Sequence, residues 1–490
     1  MNLPRILFPL LLAGCAAAPP PPHQLPAMPA AFREALPDTV DWTMTPDAAQ
    51  PQGPWSSAWW TIFRDPRLDQ LMAQAGERNA SIELAAANLA QARAVLHGTD
   101  AARSPQLDLR GSATRQGGPL INAAGGDGNL FGASASLAWE LDLSGRIARL
   151  RDAASYDADA AGALLRDTRL VVQADVAQAW FGLRALDMEA ALLDAIGREY
   201  RTQLDLATRR AAAGYGSELD LDLLRAEAAV AKADGLALAR RRAALEHALA
   251  ALTGQLASGF ALPAAVSDAA WDTALPAVPP GLPSTLLVRR PDIAAARDAV
   301  AAAGARGEAA RRAWFPNLVL TAAFGYASPQ LAGLADGSSQ AWSLAGLLAQ
   351  PLLDGGRRQA TLAQADARTR AAWAGYRERI LVAFRDTEDQ LAALRLLAGE
   401  DEARREASAA AERALQRGQS RAARGLASQL ELAVVRRDAL QAQRQLLHVR
   451  LARFQATVGL IRALGGGWGG PEVEQSAEPA QKFAVEINKG

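Results

Sequence analysis

The sequence has one cysteine, Cys15, in 490 residues, and four histidines. A single thiol excludes a disulfide framework and a cysteine metal site. His23, His97, His247 and His448 are scattered and share no ligand spacing. Lysine is scarce, so nearly all positive charge is arginine. Basic and acidic residues cancel at 52 each, which removes any bulk electrostatic case for nucleic acid. Beyond the N-terminus no run of ~18 uncharged apolar residues occurs, so no transmembrane helix is predicted. If the chain crosses a membrane, it does so as a β-barrel. Nucleophile–base spacings, metal clusters and phosphate loops are also missing, and Gly125-Gly126-Asp127-Gly128 lies between strands rather than before a helix. The chain reads as a protein without enzymatic chemistry and without a cofactor.

What is present begins with a short basic segment ending at Arg5, an apolar stretch over residues 6–12, and small residues before Cys15. This is the pattern of a signal peptide, residues 1–14. Leu12-Ala13-Gly14-Cys15 resembles the bacterial lipobox. That resemblance implies a mature N-terminus at Cys15, with diacylglycerol on sulfur and an acyl chain on nitrogen. Ala16 after the cysteine is compatible with sorting to the outer membrane. Residues 15–60 are rich in proline and read as a tether from that lipid anchor.

The rest of the chain is a tandem repeat. Asn79-Ala80-Ser81-Ile82 stands in register with Arg290-Pro291-Asp292-Ile293, an offset of 211 residues (79 to 290). At the same offset Ser104-Pro105 matches Phe315-Pro316, Gly145 matches Gly356, and Gly214 matches Gly425. The unit is helix, strand, loop, strand, long helix, turn, helix, and it is too long for a solenoid repeat. The first copy spans 61–253 and the second 284–464. Between them lies a Pro-rich linker, 254–283, and after them a polar tail, 465–490.

Within each copy the period changes from helical to alternating. Strands are predicted at 105–115, 130–142, 316–326 and 341–353. Phe131, Ala133, Ala135, Leu137, Trp139 and Leu141 alternate with Gly132, Ser134, Ser136 and Glu140. One apolar and one polar face suits a half-buried soluble sheet or a membrane strand. Strand lengths of ~10 residues and aromatics near the strand ends favour the membrane strand. Four strands cannot close a barrel, since the smallest have about eight, so a barrel requires several chains. Long helices are expected from Arg146 to about Arg210 and over about 357–421. Each returns after a turn at 211–216 or 422–427, with Ser217 placed to cap the first return helix. A helix of some 60 residues spans roughly 90–100 Å.

The motifs together resemble the TolC-like outer-membrane efflux factors, in the lipoprotein (NodT-type) branch that serves tripartite resistance-nodulation-division pumps. The resemblance rests on the lipobox, Trp60-Thr61-Ile62-Phe63-Arg64-Asp65-Pro66, Trp139-Glu140-Leu141-Asp142-Leu143-Ser144-Gly145-Arg146, Arg290-Pro291-Asp292-Ile293, Gln350-Pro351-Leu352-Leu353-Asp354-Gly355-Gly356 and Leu464-Gly465-Gly466-Gly467-Trp468. It covers nearly the whole mature chain. It implies a mixed fold, a membrane β-barrel continuous with a long α-helical barrel. It implies a homotrimer in which four strands per chain make twelve. The expected function is a passive outer-membrane conduit for small molecules or drugs. A periplasmic adaptor and an inner-membrane pump would supply it, and the repeat linker and the chain ends would form a belt around the tunnel.

By the same resemblance two hairpin tips dock the adaptor: Gly214, Tyr215, Gly216 and Ser217, and Arg424, Gly425, Leu426, Ala427 and Ser428. Leu430 aligns with an apolar ring of the periplasmic gate. Val434 stands where some relatives carry a constricting Asp, and Glu431, Asp220 and Asp222 lie close enough to supply an acidic ring instead. Two other functions fit parts of the sequence, an outer-membrane duct for an ABC-driven exporter and a lipid-anchored coiled-coil scaffold. The second leaves the alternating strands unexplained.

Overall fold

The computed structural model describes residues 28–34, 58–117, 128–215, 217–264, 275–276, 278 and 283–466. Cys15, the 118–127 loop, Gly216, Trp271 and Trp468 lie outside them. A 3-10 turn, Trp59–Phe63, leads into α1 (Pro66–Arg78). The helix begins at Pro66 because Asp65 caps it. The Asp65 carboxylate accepts from the amides of Arg67 and Leu68, and Pro66 takes the first helical position. Then come α2 (Ala80–Ala101), β1 (Gln106–Gln116), β2 (Gly128–Leu141), α3 (Arg146–Ala212) and α4 (Glu218–Leu252). The second copy holds a four-residue turn α5 (Leu286–Arg289), α6 (Pro291–Arg312), β3 (Asn317–Ser328), β4 (Gln340–Ala349), α7 (Arg357–Ala423) and α8 (Gln429–Ala463).

The repeat holds to the residue. The bounds of α2 and α6, of α3 and α7, and of α4 and α8 all differ by the same offset, 80 to 291, 146 to 357 and 218 to 429. Both long helices have 67 residues, about 100 Å at 1.5 Å per residue. Strand β4 is shorter than its sequence pattern, ending at Ala349 rather than 353. Pro351 has no amide to donate to a ladder, and the chain turns there toward α7.

The described strands form one antiparallel sheet in the order β1-β2-β3-β4. Directly paired residues of antiparallel strands share a face. Leu109, Ala135, Phe324 and Trp342 make one row across all four strands, and Asp108, Ser136, Ala323 and Ser343 make the next. The register therefore collects most of the large apolar residues of every strand on one face, while Val319 and Leu347 pair on the other. In the single chain that face is bare: Leu109 is 84% exposed and Trp342 76%. The outer edges of β1 and β4 have no partner strand among the described residues.

Below the sheet the helices stand side by side as a curtain. α3 packs on α2 and α6, and on α4 and α8, while α7 packs on α6 and α8. Each short helix is therefore stacked on a return helix, α2 on α4 and α6 on α8, to match the length of α3 and α7. Small residues on α3, including Ala174, Ala177 and Ala185, are fully or almost fully buried and permit this close approach. One side of the curtain carries the irregular segments. Phe63 packs on Phe181 at 4.9 Å, and Phe181 on Phe454 at 4.7 Å. Trp59 donates to Gln173 at 3.0 Å and Trp180 to Asp65 at 2.7 Å. Residues 28–34 dock on α7, where Phe32 meets Phe384 and Glu388 accepts the amides of Arg33 and Glu34. No described helix is long and apolar enough to cross a membrane.

Candidate functional site

Both hairpin tips are built from one local device. After α3 the chain reads Ala213-Gly214-Tyr215. Gly214 takes φ +77°, its amide donates to Ala211, and the Tyr215 amide reaches back to Arg210 at 2.9 Å. After α7, Gly425 takes φ +72°, its amide donates to Ala422, and Leu426 reaches Arg421 at 2.9 Å. This is a Schellman ending, which needs a left-handed residue and so selects glycine. It leaves Tyr215 (88%) and Leu426 (63%) exposed at the ends of the hairpins.

The tips differ in how the return helix starts. Ser428 caps α8 with a full capping box: its hydroxyl accepts the Glu431 amide at 3.1 Å, and the Glu431 carboxylate accepts the Ser428 amide at 2.8 Å. Ser217 stands at the same place before α4 but makes no side-chain cap bond. Glu431, expected at a gate, is thus committed to holding the second tip together. Asp220 lies exposed in the first turn of α4, and Asp222 pairs with Arg225 at 3.0 Å. Leu430 lies in the first turn of α8, and its side chain is outside the described residues. Val434 is 39% exposed beside the buried pair Leu432 and Ala433.

Behind the tips, charge as well as apolar contact joins α8 to α3 and α4. Arg436, 2% exposed, pairs with Glu199. Two turns further on, Arg444 bridges Glu189 of α3 at 2.6 Å and Asp234 of α4 at 3.1 Å, and His448 approaches the other Glu189 oxygen at 3.1 Å. Beside them Asp187 pairs with Arg242 of α4 at 2.7 Å. Sequence reasoning missed these layers. Their signal is an acidic residue inside an otherwise apolar stripe of α3, which single-sequence periodicity does not match to a partner helix.

The two motifs that carry the family resemblance most specifically meet each other, though 173 residues separate Arg290 from Ala463. Arg290 clasps Asp292 with two hydrogen bonds, 3.0 and 2.8 Å, and its third nitrogen donates to the Ala463 carbonyl at 3.0 Å. Burial pushes the Asp292 carboxyl up, but the hydrogen bonds and charge of Arg290, with the Ile293 amide, outweigh it and hold the group below the ordinary carboxylate range. Gly465 is required beside it, since a Cβ there would lie 2.9 Å from the Arg289 carbonyl oxygen. The Arg-Pro-Asp motif is thus the staple that seats α6 on the end of α8.

The comparisons with known proteins fall on this framework. The family model for outer membrane efflux protein matches residues 71–255 and 282–466, two stretches displaced by the repeat offset. The chain is 33% identical to outer membrane protein OprJ of Pseudomonas aeruginosa over 94% of this chain and 95% of that protein. It is 29% identical to the cation efflux system protein CusC of Escherichia coli, over 94% and 97%. Among solved structures it is similar to the open state of the MtrE outer membrane channel of Neisseria gonorrhoeae, with a TM-score of 0.77 and 26% identity over 91% of this chain and 98% of that one. With nearly complete coverage on both sides, the chain belongs to the outer membrane efflux protein family and is an outer-membrane efflux channel.

Proposed function

We propose that three copies close the channel, with β4 of each chain pairing to β1 of the next, to give a twelve-stranded barrel above a tunnel walled by α2–α4 and α6–α8. The observation that carries this is the sheet itself, whose two outer edges have no partner strand among the described residues and whose apolar face is bare. An open apolar edge strand is an aggregation hazard unless another strand pairs with it. Closure of four strands needs further copies, and strands of 10 and 11 residues match a tilted membrane span. In this reading Phe131, Ala133, Leu137, Leu318, Leu320 and Phe324 meet lipid, and Ser134, Ser136, Thr321 and Ser343 face the lumen. The belt of residues 28–34 and 59–75 lies outside the tunnel.

Lipid on Cys15 fits the same arrangement. Met28 packs on the cluster of Ile293, Tyr376 and Ile380. Tyr376 lies 19 residues into the run that starts at Arg357, about 28 Å below the sheet. The 13 residues from Cys15 to Met28 reach roughly 43–47 Å when extended, enough to set the lipid in the inner leaflet. The tips at Gly214–Ser217 and Arg424–Ser428 then point into the periplasm, where an adaptor protein docks and hands over small molecules driven by an inner-membrane pump. The protein serves as a passive conduit, with the gate near Leu430, Asp220 and Asp222.

A photo-crosslinking residue in place of Leu426, in living cells, tests the docking. Capture of a periplasmic adaptor is expected, and the adaptor's type separates proton-driven efflux from ABC-driven export. Capture of neighbouring copies alone, with the protein intact in the outer membrane, would remove the docking role.

A further inference from the structure

The curtain of helices has a second side, and its chemistry is different. A niche of about 760 Å³ opens where α8 ends and α6 begins, lined by residues of α3, α6, α7 and α8. Its residues stand two positions from the residues that hold the belt. Val171 lines the niche and Gln173 binds Trp59; Gln178 lines it and Trp180 binds Asp65. On α7, Val382, Asp386 and Ala393 line it, while Phe384, Glu388 and Arg395 hold residues 32–34. On α8, Ala452 and Ala456 flank Phe454 in the same way. Two residues advance an α-helix by about 200°. Three helices thus turn one face to the belt and the opposite face to the niche. With the belt outside, as proposed above, the niche lies on the inner wall of the tunnel.

The charges there are balanced. Arg290 and Asp292 are largely buried and satisfy each other. Arg385 pairs with Asp386 at 2.8 Å and lies 4.0 Å from Asp389, and Asp386 also lies 3.8 Å from Arg290. Arg379 and Arg462 are exposed and add further positive charge. Asp167, half-buried, sits between them.

We propose that Arg379, Arg385 and Arg462, with Asp167, Asp386 and Asp389, form a charge-balanced girdle on the inner tunnel wall, which sets the ion preference of the conduit at mid-height and lets it pass solutes of either sign. The inference rests on the trimeric tunnel reading. Threefold repetition places the same charges around one level of the water-filled passage, where the field of the lining charges biases which ions enter.

Reversal potentials of the purified trimer in planar bilayers under a potassium chloride gradient test it. Arg379→Gln with Arg462→Gln should shift the permeability ratio severalfold toward potassium. Asp386→Asn with Asp389→Asn should shift it toward chloride. Arg395→Gln, on the belt side, should leave it unchanged. As a variant that keeps all charges, Ala393→Cys treated with an anionic thiosulfonate should change the conductance, and Arg395→Cys treated likewise should not. Trimers that conduct normally yet keep the parent ratio in both double variants, with no effect at Ala393→Cys, would overturn the girdle. Loss of trimers in the unmodified protein would instead overturn the tunnel reading beneath it.

Discussion

Asn79 and Arg290 occupy the same position in the two repeats and close the same joint by different chemistry. The Asn79 amide donates to the Leu252 carbonyl at 2.9 Å, and Arg290 donates to the Ala463 carbonyl at 3.0 Å. Each residue is the N-cap of a short helix and is tied to the last turn of the return helix beneath it. Asn79 does this as a neutral group and also caps α2, accepting the amides of Ser81 and Ile82. Arg290 makes no cap bond of its own. It brings a charge into the joint and must be neutralised there, which is the work of Asp292.

That asymmetry predicts unequal losses. Asn79→Ala removes a cap and one joint hydrogen bond, about 1–2 kcal/mol. Arg290→Ala leaves the Asp292 carboxylate buried without its partner, a loss of about 3–5 kcal/mol. Arg290→Lys should recover little, because an ammonium cannot make the two-pronged contact and reach Ala463 together. Melting temperatures of the detergent-solubilised protein should fall in the order Asn79→Ala, Arg290→Lys, Arg290→Ala. Equal small losses would mean that the joint is not held by Arg290.

Two glycines with nearly the same backbone separate strain from contact. Gly214 and Gly254 have φ of +77° and +69°. A Cβ at Gly214 meets nothing within 4 Å, whereas one at Gly254 lies 2.3 Å from the Arg78 carbonyl oxygen. Gly214→Ala should therefore cost only the left-handed penalty, about 1–2 kcal/mol, and leave assembly intact. Gly254→Ala should force the α1–α2 junction off the end of α4 and cut the yield of folded protein in the outer membrane, measured by heat-modifiable migration on gels. Comparable yields for the two variants would contradict the close approach.

Glycine positions and the repeat were legible in the sequence because each rests on local chemistry. Pro291 opens α6, Gly214 and Gly425 end the long helices, and period-two alternation marks Phe131–Leu141, all within one segment of chain. Strand β4 ran past its true end in the sequence pattern because Leu352 and Leu353 continue the apolar run after Pro351 has broken the ladder. The pairings that join distant segments were not legible. Nothing in the sequence around Glu189 names Arg444 as its partner, and nothing around Asp386 says that it turns away from the belt while Glu388 turns toward it. The place of Glu431 near the tip points to the gate, and only the capping box shows that its carboxylate is already engaged.

Two half-buried aspartates of α3, Asp167 and Asp175, give the stability a pH dependence. Burial raises the Asp167 carboxyl, with the charge of Asp292 adding and those of Arg290, Arg462 and Arg379 opposing. Burial also raises Asp175, against Arg462. A raised folded pKa means that the proton binds the native state more tightly than the unfolded one. The associated stability is complete below the unfolded value, about 3.9, and is lost as pH rises through the raised folded value. Asp167→Asn and Asp175→Asn should therefore raise the melting temperature at neutral pH, with the gain shrinking on acidification. Asp292 has the opposite sign: its contribution is present above the unfolded value and disappears as pH falls through its depressed folded value. A gain from Asp167→Asn that persists in acid would show that the carboxylate is not the source.

The capping box makes the two tips unequal in the same way. Ser428→Ala removes the hydroxyl acceptor of the Glu431 amide, about 1 kcal/mol of local stability. Ser217→Ala removes no cap bond and should be close to silent. Hydrogen exchange should quicken over the first turn of α8 in Ser428→Ala and stay unchanged over the first turn of α4 in Ser217→Ala. Glu431→Gln keeps an acceptor oxygen for the Ser428 amide and should by itself retain most of the protection. If Glu431→Gln instead opened the channel while exchange at α8 stayed slow, the residue would belong to the gate rather than to the cap.

The phase of the sheet can be read with single thiols. Ala133 pairs with Gly111 and Tyr326 on the apolar face, and Ser134 with Arg110 and Gly325 on the other. A one-residue change of register would exchange the two faces entirely. If the proposed barrel forms, a membrane-impermeant thiol reagent should label Ser134→Cys, on its lumen face, and should leave Ala133→Cys, on its lipid face, unmodified. Cys15 is the only native thiol, and lipidation would remove it from reaction. The reverse pattern would place the apolar face of all four strands inside, against the register that unites Leu109, Ala135, Phe324 and Trp342, and would end the barrel as described. Labelling at both sites would mean that water reaches both faces, as in a sheet that does not enter the membrane.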